Sequence, residues 1–96
     1  MKPNTPIDEY RDAIRALTES HRANNPRLFG SFVRGEAGAS SDVDVLVDPL
    51  PDASLLDLGS LQVELELLLN RSVDVVTPND LPAEFRQQVL NEARPI

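Results

Sequence analysis

The sequence predicts a small α/β (α+β) domain in which a mixed three-stranded sheet is flanked by helices. Apolar residues recur at helical spacing in three segments, and three short apolar segments between them are typical of strands. Clusters of Gly, Pro, Asn and Ser separate these segments. With 96 residues the chain is expected to form a single domain spanning residues 1–96, with residues 1–6 as a flexible arm.

The first helix and the first two strands follow from spacing and composition. Helical spacing relates four apolar residues, Ile7, Tyr10, Ile14 and Leu17, and the Asn-Asn-Pro of residues 24–26 is expected to end that helix. The stretch RLFG at 27–30 predicts a short strand. The stretch DVDVLVD at 42–48 alternates as a strand does, and Pro49 ends it.

The second half of the chain predicts helix, strand and helix. A leucine-rich helix is expected over 54–70, capped by Asp52 or Ser54, and the strand SVDVVT follows at 72–77. A last helix is expected over 79–93 with Asp80 as its N-cap. A helix between the second and third strands suits a parallel crossover, so the sheet is expected to be mixed.

Composition narrows the function classes. The net charge of −7 argues against a broad grip on nucleic acid, so direct nucleic-acid binding is not expected. The chain has no cysteine, which excludes disulfides and thiolate metal sites and is compatible with a cytoplasmic location. It has no apolar run long enough for a membrane span, and its start does not resemble a secretory signal, so no membrane association is expected.

Three aspartates lie inside apolar strands, where a charge is costly. Asp42 and Asp44 share one face of the second predicted strand, because side chains alternate, and the valines occupy the other face. Two carboxylates spaced about 6.5–7 Å apart can lean over one or two Mg²⁺ ions. Asp74 is the single charge in the third strand and joins them if the two strands are neighbours. A solvent-facing strand edge is the alternative explanation.

A glycine–serine pair precedes the aspartates. Gly30 lets the backbone approach a ligand, and Ser31 offers an N–H and a hydroxyl to a phosphate. Arg34 follows within three residues. Each has a structural alternative: Ser31 as a helix cap, Arg34 as a surface residue, and Ser41 as a turn cap.

The stretch GSFVRGEAGASSDVDVLVD resembles the signature of nucleotidyltransferases related to DNA polymerase β. Its Arg-Gly after Gly-Ser, its Ser before the first aspartate and its small size are similar to the minimal nucleotidyltransferases (MNT), which serve as antitoxins beside HEPN-domain toxins. The segments VDVVTP and FRQQVLNEARPI also resemble that group. The resemblance implies the small nucleotidyltransferase fold.

The resemblance also assigns roles to residues. Asp42 and Asp44 are implied to hold two Mg²⁺ ions, with Asp74 as the third catalytic carboxylate and metal ligand. Gly30 and Ser31 are implied to bind the outer phosphates of ATP. Arg34 and Ser41 are lesser candidates for nucleotide contacts.

The implied function is transfer of AMP from ATP to a hydroxyl, namely a tyrosine of a cognate HEPN toxin. One alternative is a non-catalytic antitoxin or binding module that masks its partner by direct contact. Another is a transferase whose acceptor is RNA or a small metabolite. A homo-oligomer is compatible with the small size, since a 96-residue domain has a thin stability margin.

The second helix carries two apolar stripes. Leu58, Leu61, Leu65 and Leu68 form one face, and Leu56, Val63 and Leu67 lie nearly opposite. The second stripe is predicted to be a partner surface, with cover by a neighbouring helix as the alternative. His21 is expected to be packed or hydrogen-bonded rather than catalytic.

Overall fold

A computed structural model describes residues 6–35 and 42–96 of the protein. Its helices are α1 (Pro6–Glu9), α2 (Arg11–Ser20), α3 (Ser31–Arg34), α4 (Leu55–Leu69) and α5 (Ala83–Glu92). Its strands are β1 (Ala23–Phe29), β2 (Val43–Pro49), β3 (Val73–Val76) and β4 (Arg94–Pro95), and a 3-10 turn covers Pro78–Asp80. The predicted arm lies outside the described residues except for Pro6, which begins α1.

The strands form one mixed sheet in the order β3-β2-β1-β4. β2 pairs antiparallel with β1 and parallel with β3, and α4 makes the crossover between β2 and β3. The mixed α+β class is therefore confirmed. The sheet has one strand more than predicted, because Arg94 and Pro95 pair with the outer side of β1.

The core lies between the valine face of the sheet and helices α2 and α4. Val43, Val45 and Val47 of β2 are fully buried together with Ile14 of α2 and Leu61 of α4. Since side chains alternate along a strand, the aspartates of β2 project from the opposite face, as predicted.

The first helix and the first strand differ most from their predicted ranges. The first helix is interrupted at Tyr10, which has non-helical backbone angles, so α1 and α2 are separate. The strand β1 begins at Ala23 instead of 27, and the Asn-Asn-Pro segment lies in it at an irregularity of the β1–β2 pairing. Asn25 has a φ of 54° there, a turn-like conformation that explains why the local sequence suggested a helix end.

The start of the last helix is also later than predicted. Asp80 does not cap it; its carboxylate accepts hydrogen bonds from the backbone N–H and the hydroxyl of Thr77 and closes the 3-10 turn. α5 begins at Ala83 after Pro82. The cap predicted for α4 is correct for Ser54, which forms a reciprocal capping box with Asp57.

Two side chains of α4 cover the free edge of β3. The Val73 N–H donates to Glu66 Oε2 at 3.0 Å, and the Val75 N–H donates to Gln62 Oε1 at 3.1 Å. These amides belong to the outermost strand, whose other side faces β2. The crossover helix therefore satisfies polar groups that would otherwise be open at the sheet edge.

The second apolar stripe of α4 is exposed. Leu56, Val63 and Leu67 have 79%, 55% and 74% of their surface accessible, and Leu55 at the start of the helix has 88%. In contrast, Leu61 and Leu65 on the core side are fully buried. Cover by a neighbouring helix, the alternative to a partner surface, is therefore wrong within residues 6–35 and 42–96.

The described helices include none with the length and apolar character needed to cross a bilayer.

Candidate active site

Asp44 and Asp74 lie side by side on neighbouring strands. The parallel pairing of β2 and β3 sets Asp44 in register with Asp74, flanked by the register pair of Val43 and Val73. Asp44 is half-buried and Asp74 is exposed, whereas both of those valines are buried. The alternation within each strand therefore brings the two carboxylates to the face that the helical core does not use, as the sequence predicted.

Gly30 lies directly against the carboxylate of Asp44. Phe29, the last residue of β1, is the cross-strand partner of Asp44, so the following residue turns across it. A Cβ atom at Gly30 would overlap Asp44 Oδ2. Gly30 also has φ 78° and ψ −147°, a region that only glycine occupies without strain. The Gly-Ser turn and the aspartate strand thus form one continuous site.

The electrostatics of Asp44 reflect this crowding. Burial raises the pKa of Asp44 above its ordinary value, and the negative charges of Asp74 and Asp42 raise it further. The positive charge of Arg34 acts in the opposite direction. A cation bound at the register pair of Asp44 and Asp74 would relieve their mutual repulsion.

The other predicted residues are placed as follows. Asp42 is exposed and immediately precedes β2. Ser31 begins α3 and is half-buried. Arg34 ends α3, and its guanidinium lies 3.6 Å from the Glu92 carboxylate. Ser41 lies outside the described residues, so its predicted contact stays a prediction.

The donor set suits a hard divalent cation that shares its coordination with a substrate. Asp44 and Asp74 offer carboxylate oxygens, and Mg²⁺ in proteins usually takes one or two carboxylates together with phosphate oxygens. Within residues 6–35 and 42–96, no three His, Asp or Glu side chains are gathered tightly enough to form a metal cage by themselves. The residues therefore fit an ion that arrives with a nucleotide, with the phosphates completing its coordination.

Sequence reasoning missed the contacts of two arginines, Arg71 beside the Gly30–Ser31 turn and Arg27 farther along the sheet. The guanidinium carbon of Arg71 lies 5.1 Å from the centre of the Phe32 ring, so it stacks on α3. Arg27 makes two hydrogen bonds to Asp48, at 3.0 and 3.1 Å, and its side chain is only 11% exposed. Asp48 lies within β2 and is the ion-pair partner of Arg27. Neither partner is local in sequence, so no motif indicated them.

A family model described as polymerase beta nucleotidyltransferase matches residues 13–96. The chain belongs to this family. It is accordingly a nucleotidyltransferase, and the enzyme class predicted from Gly-Ser and Asp-x-Asp is confirmed.

Curated relatives support the smaller group within the family. The protein adenylyltransferase MntA of Thermococcus cleftensis is 46% identical over 78 residues, covering 81% of this chain and 79% of MntA. A candidate protein adenylyltransferase of Methanocaldococcus jannaschii is 38% identical over 87 residues, covering 91% of this chain and 94% of the relative.

Solved structures also support membership in the group of minimal nucleotidyltransferases. A candidate minimal nucleotidyltransferase superposes with a TM-score of 0.85 at 41% identity, covering 94% of this chain and 92% of that chain. The resemblance to minimal nucleotidyltransferases is thus confirmed. A chain in the solved complex of a tri-AMPylated HEPN toxin of Shewanella oneidensis with its MNT antitoxin has a TM-score of 0.68 at 20% identity. The match covers 92% of this chain and 69% of that chain, and at that identity it supports the fold alone.

Proposed function

We propose that the protein transfers AMP from Mg·ATP to a tyrosine hydroxyl of a cognate HEPN toxin and thereby acts as its antitoxin. The observation that carries the proposal is the site in which Gly30 packs on Asp44 and Asp44 lies in register with Asp74. The names of the relatives, protein adenylyltransferases, support AMP as the group transferred. A cytoplasmic location, where ATP is available, belongs to the same proposal.

In the proposed reaction the acceptor oxygen attacks the α-phosphorus of ATP in line with the leaving group. A new oxygen–phosphorus bond forms, the bond between the α-phosphorus and the bridging oxygen breaks, and pyrophosphate leaves. The Gly30–Ser31 turn holds the outer phosphates, and Asp74 accepts the acceptor proton or orients the hydroxyl. Most of the catalytic contribution comes from positioning and electrostatics, as is usual for phosphoryl-type transfer.

Asp42, Asp44 and Asp74 are the residues that would hold Mg²⁺, with two ions expected. When bound, Mg²⁺ neutralises the phosphate oxygens and polarises the reacting oxygens. The carboxylates in turn place the nucleotide at the Asp44 end of β2, beside the Gly30–Ser31 turn. Arg34, whose charge acts on Asp44, is near enough to the site to contribute to phosphate binding.

The binding half of the proposal is tested by titrating Mg·ATP into the protein in a calorimeter. The double variant Asp42→Asn, Asp44→Asn should lose metal-dependent ATP binding. Its metal-free melting temperature should be unchanged or higher, because mutual repulsion of the carboxylates is removed. Asp12→Asn removes one charge from a fully exposed side chain of α2 and serves as the control. Unchanged ATP binding in the double variant would sink the site assignment.

The transfer half is tested by intact mass spectrometry of a candidate HEPN toxin. Incubation with the protein, ATP and Mg²⁺ should add one or more AMP units, and Asp74→Asn should abolish the gain. Peptide mapping then identifies the modified residue, and modification of a residue other than tyrosine would correct the acceptor.

A non-catalytic binding module is the second candidate, and the exposed stripe on α4 favours it as much as it favours an enzyme that grips its partner. One assay distinguishes the binding module from the enzyme. If the Asp42→Asn, Asp44→Asn protein neutralises the toxin fully without any mass change, direct masking is the function and AMP transfer is not required.

A further inference from the structure

We propose that Arg71 is a positioning residue that holds the Gly30–Ser31 turn in its nucleotide-binding place by stacking on Phe32. The inference rests on the proposed function in so far as that turn binds ATP phosphates. The contact itself is a feature of the nucleotide-free chain: the guanidinium carbon of Arg71 lies 5.1 Å from the Phe32 ring centre. That separation is within the range of a favourable cation–π interaction.

The short helix α3, which begins with Ser31, is not stable without contacts to the rest of the chain. α3 comprises four residues, and a helix that short is unstable in isolation. Its position therefore depends on its contacts with the rest of the chain. One of these is the ion pair of Arg34 with Glu92, which is 3.6 Å long and half exposed on the arginine side, so its contribution is small. The apolar side of α3 supplies a further anchor, because Phe32 packs against the hydrophobic core.

Phe32 is that apolar anchor, and one side of it is poorly packed. Its ring packs against the hydrophobic core, but it also lines a cavity of about 170 Å³. The other residues that line the cavity are the apolar Leu28, Val33 and Pro95 and the charged Asp8, Arg11 and Arg94. A side chain that borders a cavity has fewer partner atoms to fix its position. The cation of Arg71 therefore supplies a restraint that the core packing leaves incomplete.

Arg71 lies close in sequence to Asp74 and contacts the residue next to Ser31, so it joins the two segments that form the candidate site. It lies between the α4 C-cap, Asn70, and the start of β3, and Asp74 is three residues further along. Phe32 directly follows Ser31. The stacking contact thus connects the segment that leads into the strand carrying the third carboxylate with the turn predicted to hold the phosphates.

The test uses four variants of the full chain: Arg71→Gln, Arg71→Lys, Phe32→Leu and the double variant Arg71→Gln, Phe32→Leu. Arg22→Gln is the control, because Arg22 forms an exposed ion pair with Asp52 away from α3. Hydrogen exchange of the amides of residues 31–35 is measured without nucleotide, and the dissociation constant of Mg·ATP is measured by calorimetry.

Arg71→Gln should accelerate exchange in residues 31–35 and raise the Mg·ATP dissociation constant about 3- to 30-fold, the range expected for a lost cation–π contact. Arg71→Lys keeps a cation, so its exchange rates and its Mg·ATP dissociation constant should lie between those of the wild type and of Arg71→Gln. Phe32→Leu should accelerate exchange and weaken binding as Arg71→Gln does. Arg22→Gln should leave both measurements unchanged.

The double variant decides between positioning and direct contact with the nucleotide. If Arg71 acts through Phe32, the loss of affinity in the double variant equals that of either single variant. If Arg71→Gln costs as much in the Phe32→Leu background as in the wild type, Arg71 contacts the phosphates itself and the proposal is overturned. Unchanged exchange in residues 31–35 of Arg71→Gln overturns it as well. If the wild type binds no Mg·ATP, the proposed function is wrong. The exchange data still test whether the Arg71–Phe32 contact orders residues 31–35.

Discussion

Gly30 is the residue whose replacement should be most revealing, because two constraints coincide there. Its backbone conformation excludes other residues, and the space that a Cβ would need is occupied by the Asp44 carboxylate. Gly35 has a similar φ of 76°, but its ψ of 19° places it in the left-handed helical region, and within residues 6–35 and 42–96 nothing lies within 4 Å of its Cβ position. Gly35 therefore shows the cost of a left-handed conformation alone, whereas Gly30 combines a rarer conformation with steric overlap.

Gly35→Ala should destabilise the fold by about 1 kcal/mol, the usual cost of an L-residue in the left-handed region. Gly30→Ala should cost about 2–4 kcal/mol, since strain in its rarer conformation and displacement of Asp44 add together. It should also weaken Mg·ATP binding more than Gly35→Ala does. Urea unfolding and calorimetry check both statements; equal effects of the two substitutions would mean that the overlap with Asp44 is relieved without consequence.

Asp48 gives a prediction for the pH dependence of stability. Its hydrogen bonds from Arg27 are the largest influence on it and lower the pKa of Asp48 below the ordinary value. The unfolded chain therefore takes up a proton at higher pH than the folded chain does. The stabilisation is fully present above the unfolded pKa and is lost as the pH falls through the folded pKa.

Asp48→Asn should lower the free energy of unfolding at pH 7 by about 1 kcal/mol, a modest figure because the Asp48 side chain is partly exposed. It should also reduce the loss of stability on acidification below about pH 4. Thermal melts from pH 7 to pH 3, with Asp12→Asn as the control for charge alone, measure both effects. Parallel pH curves for wild type and Asp48→Asn would contradict the assignment.

At the scale of elements, strong local patterns predicted structure well and weak ones did not. The alternation of Val43 to Val47 predicted β2, and the leucine-rich segment with Asp52 or Ser54 as its cap predicted α4, which Ser54 caps. Each of these patterns lies within a few residues of the chain. β4 has only two residues and is a strand because it pairs with β1, so the local sequence does not predict it. The same non-local pairing draws residues 24–26 into β1.

In the candidate site, too, the features that follow from local patterns could be predicted from the sequence, and those that depend on packing between distant segments could not. The positions of Asp44 and Asp74 on one face follow from strand alternation and a parallel crossover, both of which the sequence indicates. The stacking of Arg71 on Phe32 depends on how the α4–β3 connection meets α3. That meeting is a property of packing between distant segments, which periodicity does not describe.

The exposed stripe of α4 supports a prediction about this element. The double variant Leu56→Glu, Leu67→Glu should change the melting temperature little, because neither side chain is in the core. It should weaken toxin binding or self-association at least tenfold, since each leucine buried in an interface contributes about 1.5–3 kcal/mol before association costs. Analytical ultracentrifugation, alone and with the toxin, measures the association.

A core substitution on the same helix supplies the contrast. Leu61→Ala should cost about 2–5 kcal/mol of stability, because it opens a cavity under the sheet. If Leu56→Glu, Leu67→Glu unfolds the protein to a comparable degree, the stripe contributes to folding and the interface lies elsewhere.

At the scale of the whole molecule, the candidate active site and the α4 stripe lie on opposite sides of the sheet. The valine face of β2 packs on α4, and the aspartates project from the other face. A partner held on α4 would therefore leave the nucleotide site open. We expect the α4 double variant to bind Mg·ATP normally and Asp44→Asn to bind the toxin normally, which two calorimetric titrations can check.

The covered edge of β3 has a consequence for how any partner is recognised. A protein that joined the sheet by adding a strand would need free main-chain amides, but those of Val73 and Val75 are already bonded to Glu66 and Gln62. At the other edge, β4 offers two residues, and Pro95 has no amide hydrogen. Backbone-templated assembly, which includes edge-to-edge aggregation, is thus disfavoured at both β3 and β4. Recognition at these edges is left to side-chain shape and charge, the features that evolution can change one residue at a time to match a particular partner.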